Sequence, residues 1–528
     1  FWDYSKIIGN KGKEIIRKDK SFNKTKFFPD SRINYSENIL KNKTNDIAIN
    51  FLSEAGFEEN ISWNLLYKKV CKFSDYLKSL NLEKGDRVAA YVPNKIESII
   101  AFLACAKNGI IWSSCSPDFG EQGVVDRFKQ IEPKILITSD YYFYNGKKIN
   151  ILEKVKNILT KIPTIKKTIV FPYNQKEKTT FENFVDFNEV LNNSNLDENF
   201  ERFDFNHPIY VLYSSGTTGK PKCIMHGAGN VLIEHNKEFI LHCDIKNKEK
   251  LFYFTTTGWM MWNWLIGGLA TGSSIFLYDG SPTYPKIDIL LEYCQDKKIN
   301  LFGVSAKYID HLKNENFNGK HLDLNSIKII TSTGSPLAEE SFKYVYDNIK
   351  QDVHLASIAG GTDMVGCLVL GNLYSNVYKG EIQGQSLAID IDVFTEDGKS
   401  TKDGEKGELV VKQPFPSMPV KFWGDDTGEK YHNAYFNRFK NIWHHGDFIE
   451  RTPNNGFIMR GRSDATLNPG GVRIGTSEIY QQVEDIEYIT EGLVVGQDYN
   501  DDVRIILFVT TKNNQELNEE KIKSIKSK

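Results

Sequence analysis

The stretch "RVAAYVPNKIESIIAFLACAKNGIIWSSC" (residues 87–115) decides the fold. Its opening, "RVAAYVP" (87–93), reads as a strand closed by a proline. "NKIESIIAFLACAKN" then stays apolar for longer than a strand, which fits a buried helix. A glycine ends it, and "GIIWSSC" reads as a second strand. Strands joined through a helix lie parallel, because parallel neighbours need a crossover connection. The series continues with "GEQGVVDRFKQI" as a helix and "KILITS" as a strand. Such alternation predicts an α/β fold whose parallel sheet carries helices on its faces. The same stretch contains "IESIIAFLACAKNGIIWSSC", the most apolar run of the chain. Lys107, Asn108 and Gly109 interrupt it, so it reads as core helix plus strand and not as a membrane span.

The strand pattern returns at residues 208–215, 251–258, 273–279, 301–306, 328–334 and 352–358. From about residue 383 the texture changes. "IDIDVFTEDGKS", "KGELVVKQP" and "GFIMRGRSD" are short strands with turn signals, a small β-rich subdomain over about 383–463. Beyond it, "EGLVVGQD" and "RIILFVTT" open a further small α/β unit, residues 464–528.

The 528 residues are enough for a large core and more than one domain. A formal net charge of −2 offers no global basic field for nucleic acid or an anionic membrane. Seven cysteines, an odd number without a CxxC pair, favour free buried thiols in a reducing compartment, hence the cytoplasm. No signal peptide is visible. The chain opens without a methionine and is expected to be incomplete at its N-terminus.

"YVLYSSGTTGKPK" (210–222) is the strongest chemical signal. A strand feeds a loop of glycines and hydroxyls that ends in two lysines. Glycines let backbone N–H groups approach an anion closely. The spacing is not that of a Walker A loop, since only two residues separate Gly216 from Gly219. The string closely resembles the S/T-S-G-S/T-T-G-x-P-K signature of the adenylate-forming superfamily. Further stretches resemble that superfamily in order: "STGSPLAEE" (332–340), "GGTD" (360–363), "WHHGDF" (443–448) and "GRSDATLNPGGVRIGTSEIY" (461–480). "FPDSRINYSENIL" (28–40), "TTTGWMMWNWL" (255–265), "LYDGSP" (277–282) and "VYKGEIQG" (377–384) narrow the likeness to the branch that activates acetoacetate.

The resemblance implies a large N-terminal domain of stacked αβ subdomains over 1–463, the β-rich subdomain included, and a small mobile C-terminal domain over 464–528. It implies a ligase in which acetoacetate attacks the α-phosphorus of ATP, and CoA then displaces AMP from the acyl-adenylate. Ser214, Ser215, Gly216, Thr217, Thr218, Gly219 and Lys222 would hold the β- and γ-phosphates. Gly334, Ser335 and Pro336 would contact adenine. Thr362 would touch the α-phosphate, and Asp363, where the superfamily more often has Glu, would help to hold Mg2+. Asp447 would accept both ribose hydroxyls, with Arg462 beside it and Arg473 on the phosphates. Asp464 would be the hinge, and Gly470 and Gly471 would line the path of CoA. His444 and His445 are not expected to bind metal, because adjacent residues diverge and no third ligand is evident.

For the acid, the resemblance places Trp259, Met260 and Met261 near the substrate with Val304 opposite. Relatives that take acetate or propionate carry bulky tryptophans just before the Gln that precedes the Thr. Here one of those walls falls on Gly360, and Gly361 stands in place of the Gln. The expectation is that Gly360 and Gly361 leave open a pocket for a longer acid. A ligase for another short acid and an inactive nucleotide-binding protein remain as alternatives, and no carrier domain favours a peptide-synthetase-like module. The superfamily's catalytic lysine would lie beyond Lys528, so this chain by itself is expected to be impaired in adenylation. Oligomeric state is not legible.

Overall fold

The computed structural model describes residues 1–177, 183–214, 221–463, 467, 476–484, 486–499, 502–512 and 515–527. The chain is a mixed α/β protein built around two large sheets. The first takes the strands in the order Val185–Asp186, Lys167–Phe171, Ile135–Ser139, Arg87–Tyr91, Ile111–Cys115, Pro208–Ser214, Lys222–Gly227 and Lys421–Phe422. It is parallel as far as Pro208–Ser214, and its last two strands run antiparallel. The second sheet runs His354–Ser357, Ile329–Thr333, Leu301–Ser305, Lys250–Tyr253, Ser274–Asp279, Ile47–Ser53 and Glu58–Ser62. Only its final pair is antiparallel.

One core lies between the sheets. It joins Val88, Ala90 and Trp112 of the first to Ile49, Leu251 and Leu301 of the second, through helices Trp63–Ser79, Ile96–Lys107, Ala228–Lys237 and Met260–Gly267. Every residue of Ile96–Lys107 and of Met260–Gly267 is buried, which is why both read as apolar on all sides. Among the described residues no helix is long and apolar enough to cross a membrane. Cys71, Cys105, Cys115, Cys223, Cys294 and Cys367 are buried free thiols, and Cys243 is a half-buried one.

The expected strand at 251–258 stops at Tyr253. Residues 255–257 leave the ladder because their polar groups bridge to the first sheet. Thr257 Oγ1 donates to Val92 O at 2.6 Å, Ser114 Oγ to Thr257 O at 2.7 Å, and Asn94 Nδ2 to Thr255 O at 3.2 Å. Asn94 also accepts from Trp262 Nε1 at 3.0 Å and donates its backbone N–H to Asp279 at 3.0 Å.

The expected β-rich texture forms a four-stranded antiparallel sheet of Ile391–Phe394, Lys406–Val411, Trp443–Arg451 and Phe457–Arg462. A shorter sheet pairs Ala359–Gly361, Gly366–Leu370 and Gly384–Gln385. Towards the C-terminus, Ile489–Tyr499 and Asp502–Thr511 form a hairpin, with helices Thr476–Glu484 and Glu519–Ser527 on either side in sequence.

Candidate active site

Strand His354–Ser357 leaves the second sheet and, after Ile358, becomes one arm of the glycine hairpin Ala359–Gly361/Gly366–Leu370. Thr362 and Asp363 sit at its tip. The N–H groups of Met364 and Val365 both donate to Gly361 O, at 3.3 and 3.0 Å, which closes the turn. Val365 is buried with φ at +53°, a region that a β-branched residue rarely adopts. The buried ring of His235 donates Nε2–H to the Val365 carbonyl at 2.8 Å and helps hold that turn. Burial lowers the His235 pKa to about 4, so the ring is neutral.

The Asp363 carboxylate accepts a hydrogen bond from Tyr435 Oη at 2.5 Å. Burial pushes its pKa up, but His445, the Tyr435 hydroxyl, Lys222 and Arg462 outweigh burial and hold it below the ordinary carboxylate value. The group is therefore ionised at neutral pH. Lys222 begins the return strand of the first sheet, directly across from Ser214. The ends of the phosphate-loop signature thus meet the hairpin tip from the other sheet.

The third wall is strand Trp443–Arg451. Successive side chains on a strand point to opposite faces. His444 points one way, to Glu408 at 2.9 Å. His445 points the other, with Nε2 3.4 Å from Asp447. Asp447 is buried and accepts from Arg462 Nη1 at 3.0 Å, its cross-strand partner in the ladder. Glu408 is pushed up by burial, yet His444, Ser463 and Arg438 bring its pKa to about 2.

On the side of the second sheet, Gly334 has φ +92° and is exposed together with Ser335, while Pro336 is half-buried. Trp259 stands beside this turn: a Cβ on Gly334 would lie 3.8 Å from its ring and 3.9 Å from Ser305 Cβ. Thr333 Oγ1 donates to Ile358 O at 2.8 Å and ties the turn to the glycine hairpin.

Residues 37–418 match the AMP-binding enzyme family. Acetoacetyl-coenzyme A synthetase of Rhizobium meliloti is 47% identical over 532 residues, which span 100% of this chain and 81% of that protein. Acetoacetyl-CoA synthetase of Gallus gallus is 41% identical with the same coverage. The solved acetoacetyl-CoA synthetase structure from Streptomyces lividans superimposes with a TM-score of 0.93 at 35% identity, over 100% of this chain and 81% of that one. The chain belongs to the acetoacetyl-CoA synthetases of the AMP-binding enzyme family.

Within that family framework, several residues chosen from sequence converge. Lys222 and Arg462 lie near Asp363, which follows Thr362, while Asp447 pairs with Arg462 and Ser214 sits across the ladder from Lys222. Ser215, Gly216, Thr217, Thr218, Gly219, Asp464, Gly470, Gly471 and Arg473 lie outside the described residues.

Two expectations for the acid pocket are corrected. Val304 does not face Trp259. Its side chain packs with Phe252, Phe302 and Tyr308 in the core on the far side of the second sheet. Strand alternation instead turns Gly303 and Ser305 toward Tyr253 and Trp259. Gly360 does not border open space. A Cβ there would stand 2.1 Å from Gly366 O and 2.5 Å from Cys367 Cα, both backbone atoms of the paired strand. The glycine is where two backbones touch. Gly361 is different: a Cβ would meet Asp363 Oδ2 at 3.2 Å and His445 Cε1 at 3.4 Å, so its bare face looks onto the charged cluster. Met260 and Met261 are buried in the core at the start of the aromatic helix, while Trp259 is only half-buried.

Tyr435, Glu408 and His235 were not singled out from sequence. Tyr435 lies 72 residues from Asp363, and an isolated tyrosine in "HNAYFNRF" carries no chemical pattern.

Proposed function

We propose that this chain carries out ATP-dependent ligation of acetoacetate to CoA. The acid's carboxylate attacks the α-phosphorus, an acyl-adenylate forms and pyrophosphate leaves. The CoA thiol, losing its proton, then attacks the acyl carbon, and AMP leaves. Both partners of the first step are anions, so the step depends on fixed positive charge and on in-line placement. The observation that carries this reading is the meeting of Lys222, His445 and Arg462 around the half-buried Asp363 carboxylate, across from the end of the strand that leads into "SSGTTGKPK".

In this reading Ser214 and Lys222 flank the phosphates together with residues 215–219. Thr362 donates to the α-phosphate. Asp447, oriented by Arg462, accepts the ribose hydroxyls, since one carboxylate takes two O–H donors. Gly334, Ser335 and Pro336 flank adenine, with Trp259 between them and the acid. Arg473 reaches the phosphates, Asp464 is the hinge between 1–463 and 464–528, and Gly470 and Gly471 line the CoA path.

The residues present fit Mg2+ in the way nucleotide enzymes hold it, through one carboxylate and the substrate's phosphate oxygens. Asp363 is ionised, and its Oδ1 accepts the Tyr435 hydroxyl. Bound there, Mg2+ would neutralise charge on the triphosphate. The seven free cysteines support a cytoplasmic setting.

Pyrophosphate exchange into ATP, measured on the chain extended to the length of its relatives, tests the proposal. Exchange dependent on acetoacetate, and weaker with acetate, propionate and butyrate, is expected. Exchange with none of them would refute the ligase reading. Equal or better exchange with acetate would refute the acid assignment.

A further inference from the structure

We propose that Tyr435 is a positioning residue for the reaction: its hydroxyl holds Oδ1 of Asp363 and so fixes Oδ2 as the oxygen offered to Mg2+. The inference rests on the reading of Asp363 as the metal-holding carboxylate.

Tyr435 ends helix Glu429–Tyr435 and is buried. Its ring stacks on Trp443 with centroids 3.7 Å apart and planes 12° apart. Phe422 and Tyr431 meet it edge-on, at 5.7 and 5.1 Å. A ring clamped on three sides cannot rotate away, so its hydroxyl is a fixed donor, 2.5 Å from Oδ1.

A free carboxylate has two equivalent oxygens. One fixed donor removes that equivalence, and the remaining oxygen takes the other direction. Here that direction leads over Gly361, since the position of a Cβ on Gly361 lies 3.2 Å from Oδ2. A side chain on Gly361 would crowd Oδ2, and the glycine leaves that oxygen facing the His445 ring, whose Cε1 lies 3.4 Å from the same Cβ position.

The same stack links three parts of the site. Trp443 begins the strand that carries His445 and Asp447. Lys222, at the end of the phosphate-loop signature, holds its ammonium 6.0 Å from the Tyr435 ring centre. Asp363, the strand of Asp447 and Lys222 thus share one aromatic anchor.

Tyr435→Phe keeps the stack and removes only the donor. The Mg2+ concentration that half-saturates acetoacetate-dependent pyrophosphate exchange should rise about tenfold, the size of effect of one hydrogen bond to a charged group. KM for acetoacetate should stay within about twofold, and saturating Mg2+ should restore most of kcat. Independently of activity, Mn2+ used as a paramagnetic probe should bind the protein–ATP complex about tenfold more weakly. Affinity for AMP without metal should not change, and that constancy also reports that the variant is folded.

Asp363→Asn is the companion variant. If it leaves the Mg2+ and Mn2+ responses intact, the metal reading of Asp363 itself is wrong. If Asp363→Asn weakens Mn2+ binding and Tyr435→Phe does not, the positioning role is overturned while the metal reading stands. An equal loss of AMP and Mn2+–ATP binding in Tyr435→Phe would also overturn it, because that is the signature of a merely structural residue.

Discussion

Replacing Gly360 by alanine sets one methyl against the backbone of the neighbouring strand. The added Cβ would lie 2.1 Å from Gly366 O and 2.5 Å from Cys367 Cα. To reach even a tight 3.4 Å contact with the carbonyl, the two strands must part by about 1.3 Å. Neither colliding atom belongs to a side chain that can swing aside. Overpacking of this kind costs about 1–3 kcal/mol, and each ladder hydrogen bond loosened adds about 1 kcal/mol. A total of about 2–4 kcal/mol follows, so G360A should melt several degrees below the parent. The hairpin tip moves with its arm, and Thr362 and Asp363 sit on that tip. A displacement of about 1 Å at reacting groups costs about 100-fold in rate, so exchange should collapse for every acid alike. Thermal unfolding and pyrophosphate exchange over acetoacetate, propionate and acetate are the assays. The opposite picture, an open wall at Gly360, predicts that G360W stays folded and turns toward acetate. A stable G360W with acetate preference, or a G360A with unchanged melting and full exchange, would refute the close-contact argument.

Three further outcomes follow from the same geometry. Glu408 has its pKa lowered from 4.5 to about 2, so it contributes stability that is present above about pH 4.5 and lost as pH falls toward 2. That contribution is about 3 kcal/mol, and Glu408→Gln should flatten the acid limb of denaturant stability measured between pH 2 and 5. Asp279 behaves in the opposite sense: burial above all raises its pKa from 3.8 to about 6, so stability falls as pH rises through that window. Asp279→Asn keeps an acceptor for the Asn94 N–H and should remove that decline, read by the same denaturation series between pH 4 and 7. Asp447→Asn weakens the pairing with Arg462 and the acceptor offered to ribose, so KM for ATP should rise about tenfold or more with KM for acetoacetate unchanged. An equal change in both constants would remove Asp447 from the nucleotide site.

The α/β class was legible because the chain writes it locally. "RVAAYVP", "IESIIAFLACAK" and "IIWSSC" each carry their own period, and each became the element its pattern called for. The division into two sheets was not written locally. Ile47–Ser53 inserts beside Ser274–Asp279 from more than two hundred residues away, a pairing that only the packing of the shared core determines.

Several motif residues meet for a related reason: Lys222 starts a strand of the first sheet and Arg462 pairs with Asp447 across the small sheet, and both reach Asp363 at the hairpin tip. The acid pocket failed differently. A likeness in sequence position does not fix the face on which Val304 lies, because a strand reverses its face with every residue. In sequence, a glycine at 360 reads as a missing side chain. What a missing side chain leaves behind depends on where its Cβ would have pointed. At Gly361 that direction leads to Asp363 and His445, and at Gly360 it leads into the carbonyl of Gly366. Two adjacent glycines therefore do opposite work. One lets two strands touch, and the other lets the Asp363 carboxylate and the His445 ring approach each other. Any account of how this site admits a larger acid has to be sought at Gly303, Ser305 and Trp259, whose faces turn inward, and not at the backbone contact beside them.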